Sequence, residues 1–268
     1  MSESSTPYFL GESDLEARRL REQAARDPVP ERLKWAGLAP GMSAIDAGCG
    51  TGDVTQILAK ALGPTGSVIG FDPSESRLKV ALAQAQSPES AKMRFLPGDI
   101  YSPPVPAGEA DFVYCQYVFE YLSDPARAFK NLVELAKPGG RVAVYDVDGI
   151  GGVAWPAPEN VQRGLAIVSG AQLSAGGIDA TAGRKLFHWA VLAGLRDIEV
   201  TVQAQIFAGT ATSHEIEAWK LRHAQSEPAA PLFGGTDALH AFSAAHIEAL
   251  HDPTSLKYTV FVGVRGTR

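Results

Sequence analysis

Short apolar runs alternate with amphipathic stretches along most of this chain, which is the pattern of strands alternating with helices. Runs rich in Val, Ile, Phe and Tyr predict strands at residues 43–47, 67–71, 93–96, 111–115, 141–146, 195–203 and 256–264. Apolar residues at helical spacing predict helices at residues 13–26, 30–36, 53–62, 74–86, 125–137, 159–173, 181–193, 213–225 and 236–251. This alternation predicts an α/β fold.

The first predicted strand breaks into a glycine-rich turn that contains Gly48, Gly50 and Gly52 and opens a helix. Glycine is needed where the backbone takes a positive φ or approaches a ligand closely. The free N–H groups of the following helix point back at the turn. The stretch therefore predicts a ligand cradle between a strand and an amphipathic helix.

Acidic residues around this turn narrow the choice of ligand. A dinucleotide fold uses G-x-G-x-x-G, whereas here the glycines follow G-x-G-x-G, with Asp46 before them and Asp53 after them. Two carboxylates would repel a pyrophosphate and favour a ligand that carries an ammonium and a sulfonium. Asp72, at the tip of the second strand, is placed to accept both hydroxyls of a ribose. Asp72 therefore predicts an adenosine ligand without choosing between cofactors.

The stretch from Asp46 to Gly52 resembles the first motif of the class I S-adenosylmethionine (SAM)-dependent methyltransferases. The resemblance continues through Asp111-x-Val113, the segment 121–124 and the Lys-Pro-Gly-Gly stop at 137–140, and so covers residues 43–148 in order. It implies a Rossmann-like seven-stranded sheet with strand order 3-2-1-4-5-7-6, an antiparallel last strand, helices on both faces and helical lid segments. The chain is most similar in type to small-molecule enzymes of this class, including the ubiquinone, menaquinone and natural-product methyltransferases.

The resemblance also implies the cofactor, SAM, with S-adenosylhomocysteine as its product. It implies that Asp99 accepts the adenine amino group, that Ile100 packs on the adenine ring, and that the segment after the fourth strand lies under the methionine arm. N-terminal helices in this family often cover the cofactor. The implied cofactor-binding residues are Tyr8, Gln23, Asp46, Gly48, Cys49, Gly50, Asp53, Asp72, Pro73, Asp99, Ile100, Cys115, Gln116 and Tyr117.

The predicted domain organisation is a single methyltransferase domain over residues 1–268. Within it we expect an N-terminal helical lid at 1–40 and a cofactor-binding core at 41–148. Two substrate-covering insertions are expected at 149–180 and 204–253, because long connections with their own helices are usually functional.

The expected reaction is displacement at the sulfonium methyl by an oxygen or nitrogen of a small-molecule acceptor. We expect this acceptor to be a natural product or secondary metabolite and not a nucleic acid. A hydroxyl acceptor needs a base, and histidine is the usual choice near neutral pH. The candidates for catalysis are His188, His214 and Tyr117, with Asp148 as a substitute. An amine acceptor can react without a base.

Composition excludes several other classes. The formal net charge of -6 argues against a nucleic-acid partner, which requires a basic face. The sequence has no apolar run near the roughly 20 residues of a membrane span and no signal-peptide character. Two cysteines in a chain of this length do not make a disulfide framework. We therefore expect a cytoplasmic protein with no membrane partner and no metal site, as a monomer or homodimer.

Two other functions compete with methyl transfer. The chain could bind SAM without transferring a methyl group, because its binding residues would be the same. It could instead be an NAD-dependent oxidoreductase, although the glycine spacing and the acids beside the turn count against that function.

Overall fold

The computed structural model describes residues 21, 24, 27–84, 87–149, 153–174 and 178–268. The predicted cofactor contacts Tyr8 and Gln23 lie outside the described residues, as does the predicted helix at 13–26 apart from Arg21 and Ala24.

The chain divides into two compact units. The first contains the described residues of Met1–Asp146 together with Arg184–Thr201 and Gly263–Arg268. The second contains the described residues of Val147–Gly183 and Val202–Val262.

The strands match the predicted ones closely in position and order. In chain order they are β1 (Ser43–Ala47), β2 (Ser67–Asp72), β3 (Lys92–Pro97), β4 (Ala110–Gln116), β5 (Ala136–Val147), β6 (Val153–Trp155), β7 (Arg196–Ala208) and β8 (Leu256–Thr267). The sheet runs β3-β2-β1-β4-β5-β8, and β7 pairs with β8. Since the predicted strands six and seven are β7 and β8, this confirms the predicted Rossmann-like order.

Parallel pairing explains why the central strands are apolar throughout. Ile45 of β1 lies level with Ile69 of β2 on one side and Val113 of β4 on the other. Strands in such a sheet are buried on both faces, so they form continuous apolar runs rather than alternating ones. The last strand is antiparallel: the Gly139 N–H donates to the Arg268 carbonyl at 3.2 Å, and the Arg268 N–H donates to the Gly140 carbonyl at 2.9 Å.

Two strands differ from the prediction. The predicted turn at 137–140 is part of β5, because Gly139 and Gly140 exchange backbone hydrogen bonds with Arg268 and so continue the ladder. The short strand β6 was not predicted, since three residues are too few to show an alternating pattern. Its Val153 pairs with Tyr258 of β8, antiparallel.

The helices are α1 (Val29–Ala36), α2 (Asp53–Leu62), α3 (Glu75–Leu82), α4 (Pro125–Leu135), α5 (Glu159–Ser174), α6 (Ala182–Leu192), α7 (Ser213–Gln225), α8 (Ala230–Phe233) and α9 (Thr236–Ala249). In the first unit, α1 and α2 bury Leu33 and Leu58 in one apolar cluster with Tyr114 and Tyr145 of the sheet. Gly37 ends α1 in the left-handed conformation, with φ 86°. In the part of the chain that the structure describes, no helix combines the length and apolar character needed to cross a bilayer.

The second unit has its own small core, in which α5, α8 and α9 bury Val161, Ala230 and Phe242. Beside it, the rings of His223 and His246 lie 3.0 Å apart between Nε2 and Nδ1. Burial lowers the pKa of His223 to about 4 and that of His246 to about 3. Both imidazoles are therefore neutral at physiological pH and belong to the packing of this unit.

The Gly263→Ala variant tests the packing of β8 in the first unit. A Cβ at Gly263 would lie 2.2 Å from Cε1 of the buried Tyr145 ring. We expect a loss of about 1–3 kcal/mol in the free energy of unfolding, measured by chemical denaturation. In a Tyr145→Leu background the same change should cost clearly less, because the clashing ring is gone. An unchanged unfolding midpoint for Gly263→Ala would contradict this packing.

Candidate functional site

The turn between β1 and α2 depends on three glycines with positive φ, at 75° for Gly48, 51° for Gly50 and 83° for Gly52. A Cβ at Gly48 would lie 2.4 Å from Cγ2 of Val118, so packing as well as φ excludes a side chain there. Above Gly50, by contrast, the nearest atom to an added Cβ is 4.0 Å away. That atom belongs to the flexible side chain of Arg77, so at the buried Gly50 the positive φ, rather than packing, favours glycine.

Strand register brings acidic residues to the same edge of the sheet as this turn. Asp46 of β1 lies level with Gly70 of β2 and Tyr114 of β4. Asp72 and Gln116 follow two residues later on their strands, at the carboxyl ends. In sheets of this type, ligands bind in the crevice outside those ends.

Asp72 connects the end of β2 to the glycine turn. Its Oδ2 accepts the Gly50 N–H at 3.0 Å, and its Oδ1 accepts the Ser74 N–H at 2.9 Å. The cap of α3 is Ser74, whose Oγ accepts the Arg77 N–H at 3.3 Å. Arg77 Nη1 also lies 3.8 Å from Oδ2, so Asp72 connects the glycine turn, the end of β2 and the start of α3 in the presence of a nearby cation.

Asp46 is buried beneath the turn, with 2% of its surface exposed. Its Oδ2 accepts the Thr55 hydroxyl at 2.5 Å. Burial raises the pKa of the Asp46 carboxyl to about 7; the Thr55 hydrogen bond opposes this rise, and the nearby Asp72 carboxylate adds to it. This is a site with excess negative charge, which a cationic ligand would relieve.

Asp53 lies on the other side of the turn, as the first residue of α2. It accepts the Thr51 hydroxyl at 2.5 Å, and Arg21 Nε lies 3.8 Å from its Oδ1. An acid in the first turn of a helix is stabilised by the helix dipole.

The remaining strand-end candidates also lie at this edge. Asp99 follows β3, and its Oδ1 accepts the Tyr101 N–H at 2.8 Å, while Ile100 is 5% exposed. Pro73 follows Asp72 directly. Cys49 and Cys115 are buried free thiols, and burial raises the pKa of both well above the ordinary range, so neither is a thiolate at neutral pH.

A buried polar cluster follows β4, and it includes two residues that sequence reasoning missed, Asp27 and Arg32. The Asp27 Oδ2 accepts the Tyr117 hydroxyl at 2.7 Å and the Gln116 amide at 3.1 Å. Arg32 Nη1 donates to the Tyr117 hydroxyl at 2.9 Å and lies 3.3 Å from the same carboxylate oxygen. One signal was available: Arg32 lies on the apolar face of α1, between Val29 and Ala36.

The catalytic candidates are spread over both units. Tyr117 is in the cluster just described. His188 lies on the exposed side of α6 in the first unit. His214 belongs to α7 of the second unit. Asp146, near the end of β5, is fully buried and accepts the Phe119 N–H at 2.8 Å, so it holds the backbone after β4.

Residues 45–144 match the family described as "Methyltransferase domain". The chain is 33% identical over 153 residues to an uncharacterized methyltransferase of Schizosaccharomyces pombe, covering 55% of this chain and 54% of that protein. It is 36% identical over 114 residues to a demethylmenaquinone methyltransferase of Lactococcus lactis, covering 42% of this chain and 45% of that protein. The chain thus spans about half the length of the curated relatives that it matches.

Solved structures show the same fold. The YcgJ protein of Bacillus subtilis has a TM-score of 0.57 and 18% identity, covering 90% of this chain and 97% of that one. A phosphoethanolamine N-methyltransferase of Haemonchus contortus, in complex with S-adenosylhomocysteine, has a TM-score of 0.58 and 17% identity, covering 96% of this chain and 57% of that one. The glycine turn and the strand-end carboxylates Asp46, Asp72 and Asp99 all lie within residues 45–144, the segment that matches the methyltransferase domain family.

Proposed function

We propose that this protein transfers a methyl group from SAM to a small-molecule acceptor and releases S-adenosylhomocysteine. The observation that carries the proposal is the convergence of Asp46, Asp72 and Asp99 on one edge of the sheet, around a turn of three glycines with positive φ. Bound SAM would supply an electrophilic methyl group and a neutral thioether leaving group.

The chain's residues fit the parts of this cofactor. Asp72, at the carboxyl end of β2, would accept the two ribose hydroxyls, and Asp99 with Ile100 would hold the adenine. The turn that contains Gly48, Cys49 and Gly50 would line the cofactor site. The remaining binding roles are assigned to Asp46, Asp53, Pro73, Cys115, Gln116 and Tyr117.

Asp46 would compensate the positive charge of the methionine part. A carboxyl whose pKa is about 7 when the site holds no cation becomes fully ionised when an ammonium lies nearby. Cofactor binding and Asp46 ionisation therefore favour each other.

Transfer itself needs little beyond alignment, since the leaving group is neutral. Proximity and orientation can supply up to about 7–11 kcal/mol of the barrier. Tyr117, His188 and His214 remain the proposed catalytic residues for an acceptor whose proton must be removed.

For the acceptor we propose a small natural-product-like molecule methylated on oxygen or nitrogen. Methylation on carbon is the alternative, because two curated relatives are named for a demethylmenaquinone and a phytyl-naphthoquinone. The alternative function, that of an NAD-dependent oxidoreductase, is disfavoured because residues 45–144 match a methyltransferase domain. A cytoplasmic location, a monomer or homodimer, and the division into lid, core and insertions stay predictions.

The Asp72→Ala variant tests the cofactor site. Wild-type protein should bind SAM with micromolar affinity, about -8 kcal/mol, in isothermal titration calorimetry. Asp72→Ala should lose most of this binding, because both the ribose acceptor and the anchor of the Gly50 N–H are removed. Asp111→Ala is the matched control, since Asp111 pairs with Lys137 at the opposite end of β4 and should leave SAM affinity unchanged. Equal affinities of the two variants, or binding of NADH in place of SAM, would contradict the proposal.

The Asp46→Asn variant tests the buried charge. The pKa of Asp46 is raised by folding, so the carboxyl destabilises the fold increasingly as pH rises from about 4 to about 7. Asparagine can still accept the Thr55 hydroxyl and carries no charge. We expect Asp46→Asn to raise Tm above wild type by more at pH 8 than at pH 5, because only part of the ionisation cost is present at pH 5; each kcal/mol relieved corresponds to about 2–4 °C. Scanning calorimetry without cofactor measures both, and a Tm difference that is the same at pH 5 and pH 8 would refute this account.

A further inference from the structure

Asp27 has one saturated and one unpartnered carboxylate oxygen. Oδ2 accepts from Tyr117, Gln116 and Arg32 at 2.7, 3.1 and 3.3 Å. Oδ1 is buried and has no hydrogen-bond partner among the described residues. The side chain as a whole is 1% exposed. A buried polar atom without a partner is costly and calls for an explanation, of which a catalytic role is one.

Tyr117 is held in an unusual conformation beside Asp27. Its φ is 58°, in the left-handed region that bulky residues rarely adopt. Its N–H donates to the Tyr145 carbonyl at 2.9 Å, and its hydroxyl lies between Asp27 and Arg32. Strain of this kind persists only where the surroundings enforce it, and it is concentrated at functional sites. Here the strained backbone of Tyr117 holds its hydroxyl against the Asp27 carboxylate, next to the carboxyl end of β4.

Arg32 completes the cluster as a buried cation that cannot give up its proton. Its side chain is 1% exposed, and its guanidinium lies 5.6 Å from the ring centre of Tyr117 and 5.0 Å from that of Tyr145. A permanent positive charge beside Asp27 and Tyr117 stabilises negative charge on either oxygen. A proton that enters the cluster is therefore held by Asp27 or Tyr117 and never by Arg32.

We propose that Asp27 receives the proton that the acceptor loses, through the Tyr117 hydroxyl, and that the acceptor is a phenol. This inference rests on the proposed function and specifies its substrate class. The acceptor O–H proton passes to the Tyr117 oxygen while the Tyr117 proton passes to Asp27. The phenolate oxygen forms its bond to the methyl group as the bond from that methyl to sulfur breaks, and sulfur keeps the electron pair. Asp27, now a carboxylic acid, returns its proton to solvent after product release.

Tyr117 is the catalytic residue in this scheme, and Asp27 and Arg32 act through it as positioning residues. Charged and titratable groups that face Asp27 are Arg32 from α1 and Tyr117 and Tyr114 from β4 and its end. Burial raises the pKa of Asp27 above its usual range, although Arg32 and Tyr117 oppose the rise. Since the ionised carboxylate accepts the proton, turnover should increase with pH through that pKa.

The test compares two phenols in wild-type, Asp27→Asn and Tyr117→Phe proteins. One is 1,4-dihydroxynaphthalene, whose hydroxyls are protonated near neutral pH, and the other is 4-nitrophenol, which ionises there without help. Methyl transfer from labelled SAM is followed from pH 5 to pH 9, with SAM affinity and Tm measured on each protein. Asp111→Asn is the control, because it changes an acid at the opposite end of β4.

With 1,4-dihydroxynaphthalene, Asp27→Asn and Tyr117→Phe should each lower kcat by about 100-fold or more and remove the acidic limb of the pH profile. With 4-nitrophenol the loss of kcat should be only a few-fold, because the hydroxyl of this phenol is already ionised near neutral pH. In Asp27→Asn, SAM affinity should stay within a few-fold, since asparagine is isosteric and keeps an acceptor for Tyr117.

Equal losses of kcat with both phenols, or loss of SAM binding in Asp27→Asn, would mean that Asp27 supports the folded structure rather than proton transfer. Either result would overturn the inference. Wild-type protein that binds SAM but methylates neither phenol would overturn the acceptor class and leave the proposed function standing. Wild-type protein that does not bind SAM would instead refute the proposed function.

Discussion

The two hydrogen bonds of Asp72 hold the site together, because they fix the glycine turn after β1 to the end of β2 and the start of α3. Without that carboxylate, the Gly50 N–H would lose its acceptor in a buried position. The positive φ values of the three turn glycines are compatible with this arrangement and with few alternatives. The local geometry of the glycine turn thus follows from the Asp72 side chain and from the positive φ of the three glycines.

This arrangement buries two carboxyl groups side by side, where ionising them costs free energy. Asp46 and Asp72 are both nearly fully buried, and the Asp72 carboxylate raises the cost of ionising Asp46. A protein selected only for stability would not place two carboxyls there, since uncompensated buried charge disfavours folding. A cationic ligand in the functional state would explain why the two carboxyls are there, because its positive charge offsets the negative charge of Asp46 and Asp72.

Much of the architecture could be predicted from sequence because the relevant signals are local. Buried parallel strands form continuous apolar runs, and glycines with obligatory positive φ form a recognisable spacing. The strand β6 and the extension of β5 through Gly139 escaped prediction, since both depend on pairing with β8, far along the chain.

The same limit applies to the site. The strand-end acids were predictable from their positions after apolar runs. The contact of Asp27 with Tyr117 was not, because 90 residues separate the two partners and no local pattern reports the contact. Only the charge of Arg32 on an apolar helix face hinted that α1 carries a buried polar group.

A crystal structure of the protein with S-adenosylhomocysteine tests the central claim most directly. The account predicts both ribose hydroxyls within hydrogen-bonding distance of the Asp72 carboxylate, the adenine against Ile100, and the nucleoside over the backbone of Gly50. A nucleoside bound away from the carboxyl ends of β1 and β2, or one whose ribose contacts residues other than Asp72, would contradict it.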